Sequence, residues 1–180
     1  WNLSAIWRLD VQGRPVAWLK QVPRFFRHEA AVLGLVAGVA PGLVPPLLAA
    51  GDEGRMLLAH VPGHDGHHAG APVRARIAEE FHPVQAALAG RAGELLATGM
   101  PDARLDAGAL AEVAEPYLDR IDGLRDLIDG LPRRLDAVAA CGLPDTLVHG
   151  DLHPGNVRAD SGRRVIIDWG DAFVGHPAFD

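Results

Sequence analysis

Three polar side chains near the carboxyl end of the sequence could act together in one site. Asp151 is followed five residues later by Asn156, and Asp168 comes twelve residues after that. Carboxylate and carboxamide oxygens are hard ligands that suit Mg²⁺ better than zinc. Because Mg²⁺ usually takes one or two carboxylates together with substrate phosphates, we expect Asn156 and Asp168 to bind the ion. Asp151 would then be free to accept a proton from a hydroxyl group.

A lysine and a glutamate near the amino end could complete such a site. Lys20, the only lysine in the chain, falls in an alternating pattern that puts it on one strand face with Val16, Trp18 and Val22. Glu29 lies on the apolar stripe of the helix that follows. Buried charges are costly unless they are paired, so we expect these two to pair with each other or with a ligand. The alternative is a lysine that extends to solvent and a glutamate at the edge of the stripe.

These residue types fit phosphoryl transfer. That chemistry needs a positioned metal ion, a lysine on the nucleotide phosphates and a base that orients the nucleophile. Two other functions are alternatives: a nucleotide-binding module without catalysis, and a metal hydrolase. The hydrolase would use four residues, His149, Asp151, His153 and Asp168. The hydrolase would leave Lys20 and Glu29 without a role. The intact Asp151, Asn156 and Asp168 argue against the inactive module.

The elements that must position these residues follow from hydrophobic periodicity. Residues 5–11 and 16–22 alternate around turn residues, which predicts a hairpin. Residues 25–38 predict a helix, and 55–61 another strand. Within 30–51 the Pro-Gly and Pro-Pro pairs favour a helix end, a loop and a strand start over a membrane span. The apolar stripe of the predicted helix consists of Phe25, Val32, Leu33 and Val36.

A Gly-, Pro- and His-rich stretch at 62–72 predicts a flexible hinge loop. Its histidines, His64, His67 and His68, lack the paired helical spacing of a metal site. Beyond this loop, 73–141 is helical in pattern, and we expect its apolar stripes to be core. The first contains Val73, Ile77, Phe81, Leu88, Leu95 and Leu96. The second contains Leu110, Val113, Tyr117 and Ile121, and the third Leu124, Leu127, Ile128, Leu131, Leu135 and Val138.

Two short β-like runs, 146–151 and 163–168, follow the helices and read as the strands of one hairpin. We therefore expect an α+β fold with two lobes. Its parts, in chain order, are a small sheet with one helix, a linker, a helical body and this hairpin.

Composition narrows the class of protein. The 180 residues are 48% hydrophobic and 22% charged, as in soluble globular proteins, and the formal net charge is −6. An acidic chain without a basic patch argues against a nucleic-acid or anionic-membrane partner. The single cysteine, Cys141, cannot form an internal disulfide, which favours a reducing compartment such as the cytoplasm. The abrupt ends suggest a fragment of a longer protein.

The motifs "HGDLHPGN" and "IDWGDA" resemble those of the aminoglycoside phosphotransferase and choline kinase-like family, which shares the protein-kinase-like fold. His149, Asp151 and Asn156 match the kinase H-R-D pattern with an Asn five residues after the Asp, and Asp168 stands where D-F-G begins. "HEAAVLGLVA" is similar to the helix that bridges the lobes, and "GHPAFD" to a segment of the family. The resemblance implies a partial β-sheet N-lobe with hinge at 1–62 and a partial helical C-lobe at 63–180.

For the catalytic centre, the resemblance implies that Asp151 is the base and that Asn156 and Asp168 bind Mg²⁺. His149 would organise the catalytic loop by hydrogen bonding, and Asp180 would buttress that loop. His153 is expected to be a packing residue.

For the nucleotide, the resemblance implies that Lys20 contacts the ATP phosphates and that Glu29 positions Lys20. Asn2 and Ser4 are candidate phosphate donors, and 55–62 would line the adenine pocket through backbone groups. The implied activity is transfer of the γ-phosphoryl group of ATP, with GTP as an alternative, to a hydroxyl of an aminoglycoside-like or other small acceptor. The alternative function is that of a catalytically impaired, nucleotide-binding kinase-like module.

Overall fold

An amino-terminal sheet carries Lys20 at its centre. The computed structural model describes residues 3–180, which begin with a four-stranded antiparallel sheet in the order β1-β2-β4-β3. The strands are β1 (Ala5–Val11), β2 (Arg14–Gln21), β3 (Leu47–Ala50) and β4 (Arg55–Ala59). Because β2 lies between β1 and β4, Lys20 is opposite Ile6 on one side and Met56 on the other. The predicted hairpin and the strand after it are confirmed.

Helix α1 (Glu29–Val39) packs with one apolar face inward and carries Glu29 in its first turn. The stripe is confirmed from Glu29 onward, but the expected start near Phe25 is wrong. Residues 24–26 form a short 3-10 turn after Pro23, so Phe25 leaves the stripe and is 60% exposed. Phe26 packs against the core in its place.

The helical part contains α2 (Ala71–Leu88), α3 (Ala92–Ala97), α4 (Ala107–Ala114), α5 (Leu124–Asp129) and α6 (Leu131–Ala139). The first two supply the core with Ile77, Phe81, Val84, Leu88 and Leu95. No helix within residues 3–180 has both the length and the apolar character needed to cross a bilayer.

The expectation that every apolar stripe is core is wrong for the second, and in the first it is wrong for Val73, which is 41% exposed. Leu110, Val113, Tyr117 and Ile121 are all exposed, Val113 by 72%. Helices α4, α5 and α6 contact one another, and these short helices contribute no buried residue to the core. The third stripe is half-buried, except that Leu127 is exposed.

The last strands hold the segment with the polar motif. They are β5 (His64–Asp65), β6 (Thr146–Val148), β7 (Val157–Asp160), β8 (Arg163–Ile166) and β9 (Phe173–Gly175). The predicted pairing of 146–151 with 163–168 is wrong, because β6 pairs with β9 while β8 pairs with β7. Strand β5 joins the edge of β7, so the 62–72 loop is attached to the helical lobe. The predicted α+β, two-lobed architecture is confirmed.

Candidate active site

Lys20, Glu29 and Asp168 meet in one cluster. Lys20 Nζ donates to Glu29 Oε1 at 2.6 Å and to Asp168 Oδ1 at 2.8 Å. Lys20 and Glu29 are only 6% and 1% exposed, so the lysine does not extend to solvent. The Asp168 side chain is 55% exposed, so the cluster has an inner buried pair and an outer accessible carboxylate.

Burial and the neighbouring charges have opposite effects on the pKa values of Lys20 and Glu29. Burial alone would lower the pKa of Lys20, but the carboxylates of Glu29 and Asp168 outweigh burial and raise it above its usual value. The lysine is therefore an ammonium at neutral pH. Burial raises the pKa of Glu29, against the opposing effect of Lys20. Within residues 3–180, Glu29 Oε2 has no hydrogen-bond partner, so the link between Glu29 and the lysine is the main compensation for burying the carboxylate.

A second cluster surrounds Asp151 in the loop after β6. Asn156 Nδ2 donates to Asp151 Oδ2 at 2.9 Å and to the Asp151 carbonyl at 3.0 Å. An amide that donates through its nitrogen leaves its oxygen available to a cation. The Ile167 amide donates to the Asn156 carbonyl at 2.8 Å, which places Asn156 beside the residue that precedes Asp168. The two predicted metal ligands therefore come from adjacent backbone segments.

His149 lies beneath both segments and is fully buried. Its Nδ1 accepts the Asp151 amide at 3.3 Å, and its Nε2 lies 3.1 Å from the Ile167 carbonyl. Because Nδ1 is an acceptor, the proton is on Nε2 and is donated to Ile167. Burial lowers the pKa of His149 to about 4, so the ring is neutral at physiological pH. The imidazole ring also packs on Trp169 with 4.5 Å between ring centroids, and its burial fits a positioning role.

Asp180 caps the catalytic loop from the other side. Its carboxylate accepts the His149 amide at 2.9 Å and the Gly150 amide at 3.0 Å. Gly150 has φ +82°, and a Cβ there would clash with the carbonyl oxygen of Asp171. The loop therefore needs glycine at this position.

A cleft of about 380 Å³ opens beside the lysine cluster. Lys20, Glu29 and Asp168 line one end of it. Most of the other lining residues are apolar or aromatic, among them Ile6, Trp18, Leu33 and Leu58, and Arg158 adds a second cation. The predicted hinge contributes Leu58, Ala59, His60 and Val61. Trp18 Nε1 donates to His60 Nδ1 at 3.0 Å, which links the strand of the lysine to the hinge.

Some predicted residues lie outside this cleft. Ser4 is half-buried but does not line it, whereas Ile6 does. Asn2 lies outside the described residues. Asp151 and Asn156 are not part of the cleft lining either.

Sequence reasoning did not assign a role to Asp171. Burial, together with the charges of Asp151 and Asp168, raises the pKa of the Asp171 carboxyl. Its position within "IDWGDA" was the available signal, and its proximity to the other two carboxylates becomes visible only in the folded structure. Asp168 itself has φ +63°, an uncommon backbone conformation for a non-glycine residue.

The donor set fits a magnesium–nucleotide complex better than a metal cage built from protein alone. Among residues 3–180, no three His, Cys, Asp or Glu side chains are grouped as a metal site would need. Asn156 and Asp168 offer an amide oxygen and one carboxylate, which suits an ion whose other ligands are phosphates and water. Both ring nitrogens of His149 are committed within the protein, which argues against the hydrolase alternative.

A family of known proteins and several solved structures are similar to this chain. The family model described as "Phosphotransferase enzyme family" matches residues 8–180. No curated protein sequence matches the chain.

Three solved structures illustrate the likeness of fold. Macrolide 2'-phosphotransferase MphH from Brachybacterium faecium is 23% identical with a TM-score of 0.59, covering 91% of this chain and 61% of its own. A choline/ethanolamine kinase family protein from Mesorhizobium loti is 18% identical with a TM-score of 0.62, covering 96% and 60%. Aminoglycoside phosphotransferase APH(4)-Ia, in a complex with ADP and hygromycin B, is 19% identical with a TM-score of 0.59, covering 98% and 66%. The chain spans about three fifths of the length of the first two, and the predicted kinase-like fold is confirmed.

Proposed function

Because the chain belongs to the phosphotransferase enzyme family, we propose that it transfers the γ-phosphoryl group of ATP to a hydroxyl group of a small molecule. The observation that carries this proposal is the meeting of Lys20, Glu29 and Asp168 at the end of an apolar cleft, next to the Asp151–Asn156 pair. These are the parts that phosphoryl transfer needs, namely a cation for phosphates, metal ligands and a base.

Asp151 is the proposed base. Its Oδ2 is occupied by Asn156, so Oδ1 remains to accept the proton of the attacking hydroxyl. The carboxylate is exposed and can be reached by an acceptor from solvent. His149 and Asp180 hold the loop that carries it and do not contact the acceptor.

Lys20 is the proposed phosphate ligand, and Glu29 keeps its ammonium at the cleft. Asn156 and Asp168 would hold Mg²⁺, which supplies charge neutralisation on the phosphate oxygens when it is bound. The purine would lie among the apolar residues of the cleft, with the hinge backbone along its edge, and the lobes would divide between 62 and 63. ATP is the proposed donor, with GTP as the alternative.

An ATP-consumption screen tests the proposal. The protein is incubated with Mg·ATP and a panel of amino sugars, amino alcohols and macrolides. The panel follows the structurally similar proteins, which include an aminoglycoside phosphotransferase, a choline/ethanolamine kinase family protein and a macrolide phosphotransferase. We expect acceptor-dependent release of ADP and a phosphorylated acceptor by mass spectrometry. Saturable ATP binding without transfer to any acceptor would instead support the inactive nucleotide-binding module.

A further inference from the structure

His153 lies close to Asp151 and has no part in the proposed mechanism. Its ring is half-buried and follows the catalytic aspartate by two residues. Nδ1 of the ring accepts the amide proton of Gly155 at 3.0 Å. A ring nitrogen that accepts a hydrogen bond through its lone pair carries no proton, so in the neutral imidazole the proton is on Nε2.

That Nε2 points towards the catalytic carboxylate. It lies 3.6 Å from Asp151 Oδ2, the same oxygen that accepts from Asn156. This separation exceeds a normal hydrogen bond by about half an ångström. Catalytic hydrogen bonds are often long before substrate binds and shorten in the productive complex. The small shift needed would give Oδ2 two donors and direct Oδ1 to the hydroxyl.

A residue of the linker holds the imidazole in this position. The ring of His67 lies 5.7 Å from that of His153, centroid to centroid, and a Cβ on Gly155 would clash with both rings. The backbone of the linker is fixed to the same loop, because the Gly66 amide donates to the Pro154 carbonyl at 2.8 Å. The linker therefore packs beside the His153 ring and is hydrogen-bonded to the loop that carries it.

We propose that His153 is a positioning residue for Asp151: its Nε2–H fixes Oδ2, so that Oδ1 is presented to the acceptor hydroxyl, and His67 holds the ring in place. The inference rests on the proposed phosphotransferase function. It differs from the expectation that His153 only packs the loop. If the role of His153 were purely structural, it would depend only on the hydrogen bond that Nδ1 accepts from the Gly155 amide.

Two isosteric substitutions separate these roles. His153→Asn keeps an acceptor near the position of Nδ1 and loses the donor at Nε2. His153→Gln keeps a donor near Nε2 and loses the cap. We expect His153→Asn to lower kcat about 10- to 100-fold with little change in KM for ATP, and His153→Gln to restore most of the rate. In an Asp151→Asn background, His153→Asn should cause no further loss, since both changes act on one group.

The tautomer gives a readout that needs no turnover. Nitrogen NMR of the imidazole should show the His153 proton on Nε2 in the free protein, and His67→Ala should broaden or shift that signal. A proton on Nδ1, full activity of His153→Asn, or a rate lost equally in His153→Gln would overturn the positioning role. If the wild-type protein bound Mg·ATP but phosphorylated no acceptor, the proposed function would fail together with this inference. Transfer that is unaffected by His153→Asn would remove the inference alone.

Discussion

The ammonium of Lys20 and the carboxylate of Glu29 form a 2.6 Å ion pair that is almost completely buried. Lys20 lies on strand β2 and Glu29 on helix α1, so the pair joins two elements. Asp168, which lies 148 residues after Lys20, provides the second carboxylate. The pair therefore joins the sheet, the first helix and the catalytic segment in one electrostatic unit.

Breaking this pair should destabilise the protein. Lys20→Met leaves the Glu29 carboxylate buried without its cation, and we expect a loss of about 3–5 kcal/mol in the free energy of unfolding. The double variant Lys20→Met/Glu29→Gln should lose less than the two single changes added together, because neither charge is then left alone. Urea unfolding of the four proteins measures the coupling. Additive losses would mean that the ion pair does not exist in solution.

Replacing the proposed base should separate catalysis from binding. Asp151→Asn keeps the size of the side chain but cannot accept a proton, so we expect kcat to fall about 10²- to 10⁴-fold. Calorimetry should show Mg·ATP affinity within about threefold of wild type, because Asp151 does not line the cleft. Asp160→Asn, at the exposed end of β7, is the matched control and should retain full activity. An Asp151→Asn variant with wild-type turnover would exclude Asp151 as the base.

Sequence reasoning located the parts of the site but not how the strands pair. The spacing of Asp151, Asn156 and Asp168 and the buried character of Lys20 and Glu29 could be predicted, because each depends on residue type and local periodicity. The pairing of 146–148 with 173–175 could not, since short apolar runs do not specify their partners.

Periodicity alone also could not predict which apolar helix faces are buried. Val113 and Tyr117 are four residues apart, as are Ile77 and Phe81, yet only the second pair is core. The spacing shows which residues share a face, whereas tertiary packing decides what covers that face.

The neutral state of His149 should make stability depend on pH. Its pKa is about 4 in the fold, below the ordinary value of 6.5 that applies when the chain unfolds. Below pH 6.5 the unfolded chain takes up a proton that the folded protein does not, so stability is present above that pH and is lost as pH falls towards 4. Urea unfolding at pH 7 and pH 5 should show an extra loss of about 2 kcal/mol from this group. His149→Gln, which keeps a donor near Nε2, should reduce the loss; an unchanged pH dependence would contradict the assignment.

The catalytic loop should be far more sensitive to a methyl group at Gly150 than a hairpin turn is at Gly162. Both glycines have positive φ, +82° and +86°, so alanine pays a similar backbone cost of about 1–2 kcal/mol at each. At Gly150 the added Cβ would also clash with the Asp171 carbonyl, whereas in the described part of the chain no atom lies within 4 Å of a Cβ at Gly162. Gly150→Ala should therefore destabilise the protein more than Gly162→Ala and abolish activity by displacing Asp151. Equal losses in thermal stability and activity would show that the loop does not adopt this conformation.

The exposed stripe on α4 predicts which apolar residues can be truncated without cost. Val113 is exposed, whereas Val84 on α2 is fully buried in the core. Val84→Ala should cost about 2 kcal/mol, because it removes two buried methyl groups and leaves a cavity. Val113→Ala, the same chemical change on a helix surface, should stay within about 0.5 kcal/mol of wild type. Chemical denaturation of the two variants is a direct comparison, since helix propensity changes equally in both. A Val113→Ala variant as unstable as Val84→Ala would mean that the stripe is covered in solution.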